Sequence, residues 1–444
     1  MGPAGEERIT AAALLGVVGT LSVIMPAFLT GALAVQIRDD LGFGESDIGF
    51  AIGAFFVGSA CGSAPLGRVA ERLGPKTAIR LGLAVTAITN LLIAATANRP
   101  VDFQAILIVA GLANALVQPA INLMLVRLVR PGRLGFVMAL KQSGMPGAAL
   151  LGGLAVPAVA LTIGWRAAYV IAAGVAAAAG ALTEAVAIRR ATGSPPDEEG
   201  GSEPALENVG GPQPALRDAP SPATESSRAA PPPTRPTPNL GIGMLTLMAA
   251  VGVLGGGAAN VLVGYLVSGA VAAGVSPGSA GLLLTLAAGL GVTSRLIHGV
   301  LADRSAIDPL TRVVQLFLVG SLGAAGLAVD TGLFYLAASP VAFAAGWAWP
   351  GLFNLVVVNT NRSAPAAATG LTQTGVYIGS LVGPIGAGVL IERSGYRVTW
   401  LATAASLLGA GLLVGLVRAG LRETGATDKP SVTSDGNQPA QETR

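Results

Sequence analysis

Two basic side chains stand inside long apolar stretches of this chain and are the first candidates for chemistry. Lys141 lies seven residues beyond Leu134, and Arg295 lies eight residues before Asp303. At a helical rise of 1.5 Å per residue, both would lie roughly 10 Å inside their apolar segments. A buried ammonium or guanidinium needs acceptors, water or an anion, and the guanidinium fork suits a carboxylate. The pair predicts binding of an anion, with side chains that reach back to a polar surface as the alternative.

Other residue types that could support catalysis or metal binding are scarce. The chain has one histidine, His298, and one cysteine, Cys61, which excludes an intrachain disulfide and any Cys-rich or His-rich metal site. No glycine-rich phosphate loop with a Lys-Ser/Thr end is present, and no nucleophile–base pair is evident. The formal charge of +3 is too small to indicate nucleic-acid binding. We expect no enzyme activity, no catalytic residue, no metal and no cofactor.

The elements that must position these cations are predicted to be membrane-spanning helices. Hydrophobic residues make up 52% of the chain and charged residues 11%, whereas soluble domains carry about 25% charged residues. Each apolar segment is long enough to cross a hydrocarbon core about 30 Å thick. There are twelve such segments, at 9–35, 48–67, 77–97, 103–126, 135–158, 167–188, 241–269, 278–301, 313–329, 331–358, 367–391 and 398–417.

A polar stretch separates the first six segments from the last six. Residues 191–240 are rich in Pro, Gly, Ser and Glu and nearly lack aromatic and β-branched residues. Such a segment buries too little apolar surface to offset chain entropy, so it predicts a disordered linker. The expected organisation is an N-terminal six-helix bundle (1–190), the linker (191–240), a C-terminal six-helix bundle (241–422) and a disordered tail (423–444).

The two sets of six segments share a sequence register. "GRVAERLG" (67–74) and "GVLADR" (299–304) both follow an apolar run, and they align at an offset of 232 residues. At an offset of 231, Pro119 matches Pro350 and Gln142 matches Gln373. The chain is therefore a duplication, and both copies have the same orientation because six is even. A parallel repeat of this kind predicts a binding site between the halves near the bilayer midplane.

Basic residues predict the orientation in the membrane. With the N-terminus inside, fifteen Lys and Arg residues flank the inner helix ends and five flank the outer ends. The positive-inside rule then places both termini and the linker in the cytoplasm. The expected location is the plasma membrane, as a multi-pass protein, and the Ala-, Gly- and Arg-rich composition favours a bacterial source.

These features resemble the major facilitator superfamily. The loop between the second and third helices of that family carries Gly-x-x-x-Asp-Arg-x-Gly followed by basic residues, and Gly67, Arg72, Gly74 and Lys76 fit this pattern, with Glu71 in place of the Asp. A Gly- and Pro-containing stretch at 144–153 resembles the fifth helix of the family. The resemblance implies an all-α membrane protein with twelve transmembrane helices in two pseudo-symmetric six-helix bundles.

The resemblance also implies roles for individual residues. The fifth and eighth helices of the family face each other, so Lys141 and Arg295 would share one cavity. "RLIHG" (295–299) resembles the eighth helix of monocarboxylate transporters. The loop residues are expected to form a conformational gate or, alternatively, solvated turns: Gly67, Glu71, Arg72, Gly299, Asp303 and Arg304. Further substrate contacts, or contacts between helices, are expected from Asn114, Gln118, Asn260, Tyr265, Trp347 and Asn354.

The sequence therefore predicts a secondary active transporter. It would move a small anionic organic solute across the plasma membrane by alternating access. The expected partners are the solute, the lipid bilayer and a coupling proton or ion, with the protein as a monomer. Two alternatives remain open, namely efflux of apolar or drug-like compounds and a non-transporting receptor or scaffold on the same fold.

Overall fold

The structure is a computed structural model that describes residues 3–129, 137–138, 140–191, 241–304, 308–361 and 364–427. Within these ranges the chain forms helices and turns and no strand. The predicted linker, beyond Ala191, and residues 428–444 lie outside the described residues. Eleven described stretches are long and apolar enough to span a membrane, and the last of them, Ala368–Arg422, contains two helices.

The first half contains the helices α1 to α6. Pro100 and Pro75 open their helices at the first position, where a missing N–H costs nothing. A short helix, Ala34–Leu41, follows α1, and a π-helical turn, Val156–Ala160, lies within α5. The six helices are α1 (Pro3–Ala32), α2 (Glu45–Leu73), α3 (Pro75–Thr96), α4 (Pro100–Leu128), α5 (Leu140–Ile163) and α6 (Trp165–Ala191).

The second half contains α7 to α12. The predicted boundary between 313–329 and 331–358 is a turn at residues 328–331, and Asp330 has a positive φ of 61°. The tenth helix is broken into Gly332–Gly346 and Pro350–Asn359, and the final helix reaches Thr427, inside the predicted tail. The six helices are α7 (Ile242–Ala272), α8 (Pro277–Arg304), α9 (Pro309–Leu327), α10 (Gly332–Asn359), α11 (365–394) and α12 (396–427).

The backbone repeats the duplication that the sequence predicts. Gly42, after the helix that follows α1, and Gly274, after α7, have φ values of 70° and 87° and are 232 residues apart. Gly164, between α5 and α6, and Gly395, between α11 and α12, have φ values of 94° and 80° and are 231 residues apart. Only glycine adopts this region without strain, so the repeated glycines mark turns of the same shape in both halves.

The duplication relates two of the helix crossings that join the halves. In the α5–α8 crossing, a methyl group added to Gly281 would lie 2.6 Å from the carbonyl oxygen of Gly153. In the α2–α11 crossing, a methyl group on Gly49 would overlap the carbonyl oxygen of Pro384. Gly49 and Gly281 occupy equivalent positions at offset 232, and Gly153 and Pro384 do so at offset 231. The two crossings are therefore pseudo-symmetric.

These crossings lie on one side of the membrane. We call the side on which α6 ends and α7 begins the linker side, and the opposite side, with the turns at Gly42, Gly164, Gly274 and Gly395, the far side. Toward the linker side, the nearest neighbours of the helix glycines belong to their own half, as at Gly62 against Ala115. The close contacts between the halves are thus concentrated toward the far side.

Candidate functional site

Arg295 of α8 lies where the two halves meet. Its Nη2 donates to the carbonyl oxygen of Trp347 at 2.6 Å, and its Nη1 donates to that of Gln142 in α5 at 3.4 Å. The Trp347 carbonyl lies in the break of α10 between Gly346 and Pro350, where Pro350 has no N–H that could bond to the Gly346 carbonyl. The Arg295 Nε is buried and has no hydrogen-bond partner among the described residues. Arg295 thus bridges the halves and retains an unused donor.

An aromatic wall stands beside this guanidinium. The Trp347 ring lies with its centroid 5.9 Å from the Arg295 guanidinium carbon. Its other neighbours are Phe343 of the same helix, at 5.5 Å between ring centroids, and Phe28 of α1, at 6.0 Å. Both halves therefore supply apolar surface next to one cation, an arrangement that suits an organic anion better than a small inorganic one.

Lys141 of α5 is buried in the first half, with 3% of its surface exposed. Its ammonium donates to Gln118 Oε1 and, at 3.1 Å, to Asn122 Oδ1. The chain of polar contacts continues through α4, because Gln118 donates to Asn114 at 3.4 Å and Asn114 donates to Ser59 of α2 at 3.1 Å. All these acceptors are neutral, so the charge of Lys141 is solvated by amide groups but not balanced.

The two cations are linked by adjacent residues of α5. Lys141 bonds within its own half, and the carbonyl of the next residue, Gln142, accepts from Arg295 of the other half. Neither cation forms an ion pair with a carboxylate of the described residues; ion pairs occur there at helix ends, as in Arg38–Glu45, Arg166–Asp40 and Arg418–Asp308. Within the part of the chain that the structure describes, two positive charges from opposite halves thus have no carboxylate counter-ion.

A second polar cluster closes the far side. The Tyr265 hydroxyl of α7 lies 3.1 Å from the carbonyl oxygen of Glu45 and 2.9 Å from that of Pro384. The Ser46 backbone N–H and hydroxyl donate to Glu392 of α11 at 2.9 and 2.8 Å. The sequence predicts Tyr265 as a substrate contact or a contact between helices, and the structure places its hydroxyl between α7, α2 and α11.

A family model of the Major Facilitator Superfamily matches residues 13–332 and 245–442. The chain belongs to this superfamily. Its members are membrane transporters, so the chain is a multi-pass membrane protein of a transporter family and not an enzyme. No curated protein matches the chain.

Solved transporter structures share the superfamily fold with this chain. A bacterial homologue of the human lysosomal transporter Spinster, inward-facing and unoccupied, is 12% identical with a TM-score of 0.61, over 96% of this chain and 98% of that one. The same homologue, inward-facing and occupied, is 14% identical with a TM-score of 0.64, over 96% of this chain and 98% of that one. The nucleoside transporter NupG is 14% identical with a TM-score of 0.65, over 92% of this chain and 99% of that one. These likenesses confirm the predicted twelve-helix architecture.

The structure describes the side chains of only part of the predicted gate of this superfamily member. Glu71 and Arg72 are exposed and form no ion pair with another described residue. Gly67 and Gly299 have no atom within 4 Å of the position a Cβ would take, apart from their own helix. Asp303 and Arg304 end α8, and their side chains lie outside the described residues. The gate residues therefore remain predictions.

The other predicted substrate contacts differ in their surroundings. Asn260 of α7 donates to Gly256 and to Ser380 of α11, both at 2.9 Å, and so joins two helices of its own half. Asn354 of α10 is half-buried and makes no hydrogen bond to another described residue. Asn114, Gln118 and Trp347 are connected to the two cations as described above. Sequence reasoning did not assign roles to Gln142, Glu45 or Tyr396, because their contacts come from distant parts of the chain.

Proposed function

We propose that this member of the superfamily is a secondary transporter that moves a small anionic organic solute by alternating access. The observation that supports this is that Arg295 of the second half bonds to the carbonyl of Gln142, the residue after Lys141 of the first half, and that neither cation has a carboxylate partner among the described residues. Uncompensated charge inside a membrane protein is costly, so an anion would stabilise the site. The aromatic wall at Trp347 and Phe28 would hold the organic part.

The proposal includes an orientation. The linker side would face the cytoplasm, because basic residues are concentrated on that side, and the membrane would be the plasma membrane. Because the halves are closed on the far side, the site would be reached from the cytoplasm in this conformation. Binding at Arg295 and Lys141 would draw the linker-side parts of α5 and α8 together, which is the movement that alternating access requires.

Counterflow in proteoliposomes tests the transport activity. Small monocarboxylates are the first anions to examine, because of the short resemblance at 295–299. We expect vesicles with the parental protein to exchange an anion. This exchange should be lost with Arg295→Ala and reduced with Lys141→Ala. Cys61→Ser, at an exposed position, is the control and should exchange at the parental rate.

Three results would contradict the proposal. Parental exchange by both alanine variants would show that the two cations do not bind the solute. Exchange of lipophilic cations without competition by carboxylates would favour efflux of apolar compounds. A folded protein that exchanges no solute, and whose melting temperature no anion raises, would favour the receptor or scaffold alternative.

A further inference from the structure

The far-side closure contains a buried carboxyl group that anion binding does not use. Glu45 begins α2 and is 4% exposed. Its Oε1 accepts hydrogen bonds from Arg38 and from the Tyr396 hydroxyl of α12, and its backbone carbonyl accepts from Tyr265 of α7. Glu45 therefore connects the first half to two helices of the second, and separation of the halves on this side must break these contacts.

The two oxygens of this carboxyl group have different surroundings. Both side-chain donors reach Oε1, whereas Oε2 is buried and has no hydrogen-bond partner among the described residues. A buried carboxylate oxygen without a donor is costly. A neutral carboxyl group carries no charge that must be desolvated, and its carbonyl oxygen can still accept both hydrogen bonds. Protonation of Glu45 would therefore remove a buried charge.

The charges around Glu45 also favour a proton. Beside it lies a cavity of about 500 Å³ that Arg38, Asp39, Glu392 and Tyr396 help to line. With Glu45 included, this cluster contains one basic group and three acidic groups, and the Tyr265 and Tyr396 hydroxyls are the other titratable groups that face it. A surplus of acidic groups favours the neutral form of the most buried one.

We propose that Glu45 is a proton-binding site that is occupied when the far side is closed and vacated when it opens. Opening would remove Tyr396 and expose Glu45 to water, where a carboxyl group is ionised near neutral pH. The released proton would enter the water on the far side. Acid on this side therefore favours closure and alkali favours opening. This inference rests on the alternating access of the proposed function but not on the identity of the solute.

Distance measurements between spin labels test the proposal. Arg99 at the start of α4 and Thr331 before α10 are exposed on the far side, one in each half. With Arg99→Cys and Thr331→Cys in a Cys61→Ser background, double electron–electron resonance would follow the opening from about pH 5 to about pH 8. We expect the long-distance population to grow with pH, by at most about tenfold in the open-to-closed ratio per pH unit, the limit for one proton.

Variants identify the proton-binding residue. Glu45→Gln keeps an acceptor at Oε1 and resembles the neutral acid, so the short distance should persist at every pH. Glu392→Gln is the matched control, because it weakens the Ser46 contacts and leaves Glu45 intact, and it should keep the pH dependence. A pH-independent parental protein, or a Glu45→Gln variant with the parental pH dependence, would overturn the proposal.

A second variant retains the carboxyl group in case Glu45→Gln does not fold. Tyr396→Phe removes a hydrogen bond to Glu45 that exists only in the closed form, so closure is weakened and the opening midpoint should move to lower pH while the pH dependence persists. Distances that no longer depend on pH in this variant would contradict the proposal. If the distances between the spin labels depend on pH while Arg295→Ala has no effect on anion exchange, only the anion proposal fails. If anion exchange requires Arg295 while the distances between the spin labels do not depend on pH, only the Glu45 proposal fails.

Discussion

At the scale of single residues, the two central cations have different tasks. Arg295 contacts both halves through backbone carbonyls and has a free Nε, so it can exchange these weak acceptors for a carboxylate. Lys141 is held by two amide side chains of its own half. We therefore expect Arg295 to grip the solute and Lys141 to supply a field of positive charge. A guanidinium fork and an ammonium are not interchangeable in the first task.

The Arg295→Lys substitution separates charge from geometry. It keeps the positive charge and loses the bidentate fork, so the half-saturating solute concentration should rise by roughly tenfold to a hundredfold, corresponding to about 1.5–3 kcal/mol for a hydrogen bond to a charged group. The measurement is solute binding to purified protein by calorimetry. The Lys141→Arg variant is the companion, and a larger effect there would reverse the roles given to the two residues.

At the scale of elements, the break in α10 creates the acceptor that Arg295 uses. The repeat makes Pro119 of α4 the equivalent of Pro350, yet α4 continues through Pro119 as one helix, whereas α10 stops at Gly346 and resumes at Pro350. A proline in a helix interior removes a hydrogen bond and crowds the carbonyl four residues earlier. The two halves thus share this proline, but the helix is interrupted before it only in α10.

The Pro350→Ala substitution should repair this break. The restored N–H can bond to Gly346, the Trp347 carbonyl then returns to the helix, and Arg295 loses its shorter hydrogen bond. We expect counterflow to fall at least tenfold while the melting temperature is unchanged or higher. Pro119→Ala is the matched control and should leave exchange near the parental level. Equal losses in both variants would show that the break has no special role.

The sequence was sufficient to predict the helices, but it predicted only part of the candidate site. The twelve apolar runs and the repeated glycines predicted the helices and the paired turns, because both follow from local composition and local backbone geometry. The sequence could not tell which of the two equivalent prolines, Pro119 and Pro350, would interrupt its helix. The contacts that Tyr265 and Glu45 make with each other, with Pro384 and with Tyr396 could not be predicted either, since these residues are more than a hundred positions apart and their contacts depend on how the helices pack.

At the scale of the whole molecule, the halves meet at the far side through α2–α11 and α5–α8. Toward the linker side, the helix glycines pack within their own half. Glu71 and Arg72 are exposed on the linker side and form no ion pair with another described residue. If the linker side is cytoplasmic, the conformation is inward-facing, as are the two structures of the Spinster homologue.

The orientation can be tested on the Cys61→Ser background with single cysteines. Lys76, at the start of α3 on the linker side, and Asn98, before α4 on the far side, are both exposed. We expect Asn98→Cys to react with an impermeant maleimide in intact cells and Lys76→Cys to react only after permeabilisation. The opposite pattern would invert the topology and place the Glu45 closure in the cytoplasm.

The glycine crossings between the halves have a thermodynamic consequence. At Gly49 and Gly281 the contact is between backbones, so closing the far side there orders almost no side-chain rotamers, whereas each long side chain in an ordinary interface loses up to about 2 kcal/mol of conformational entropy. Little apolar surface leaves water at these points, so the heat-capacity change on closing should also be small. These two crossings should therefore contribute little to the temperature dependence of the balance between open and closed forms, and the side-chain contacts of Glu45, Tyr265 and Glu392 would contribute more.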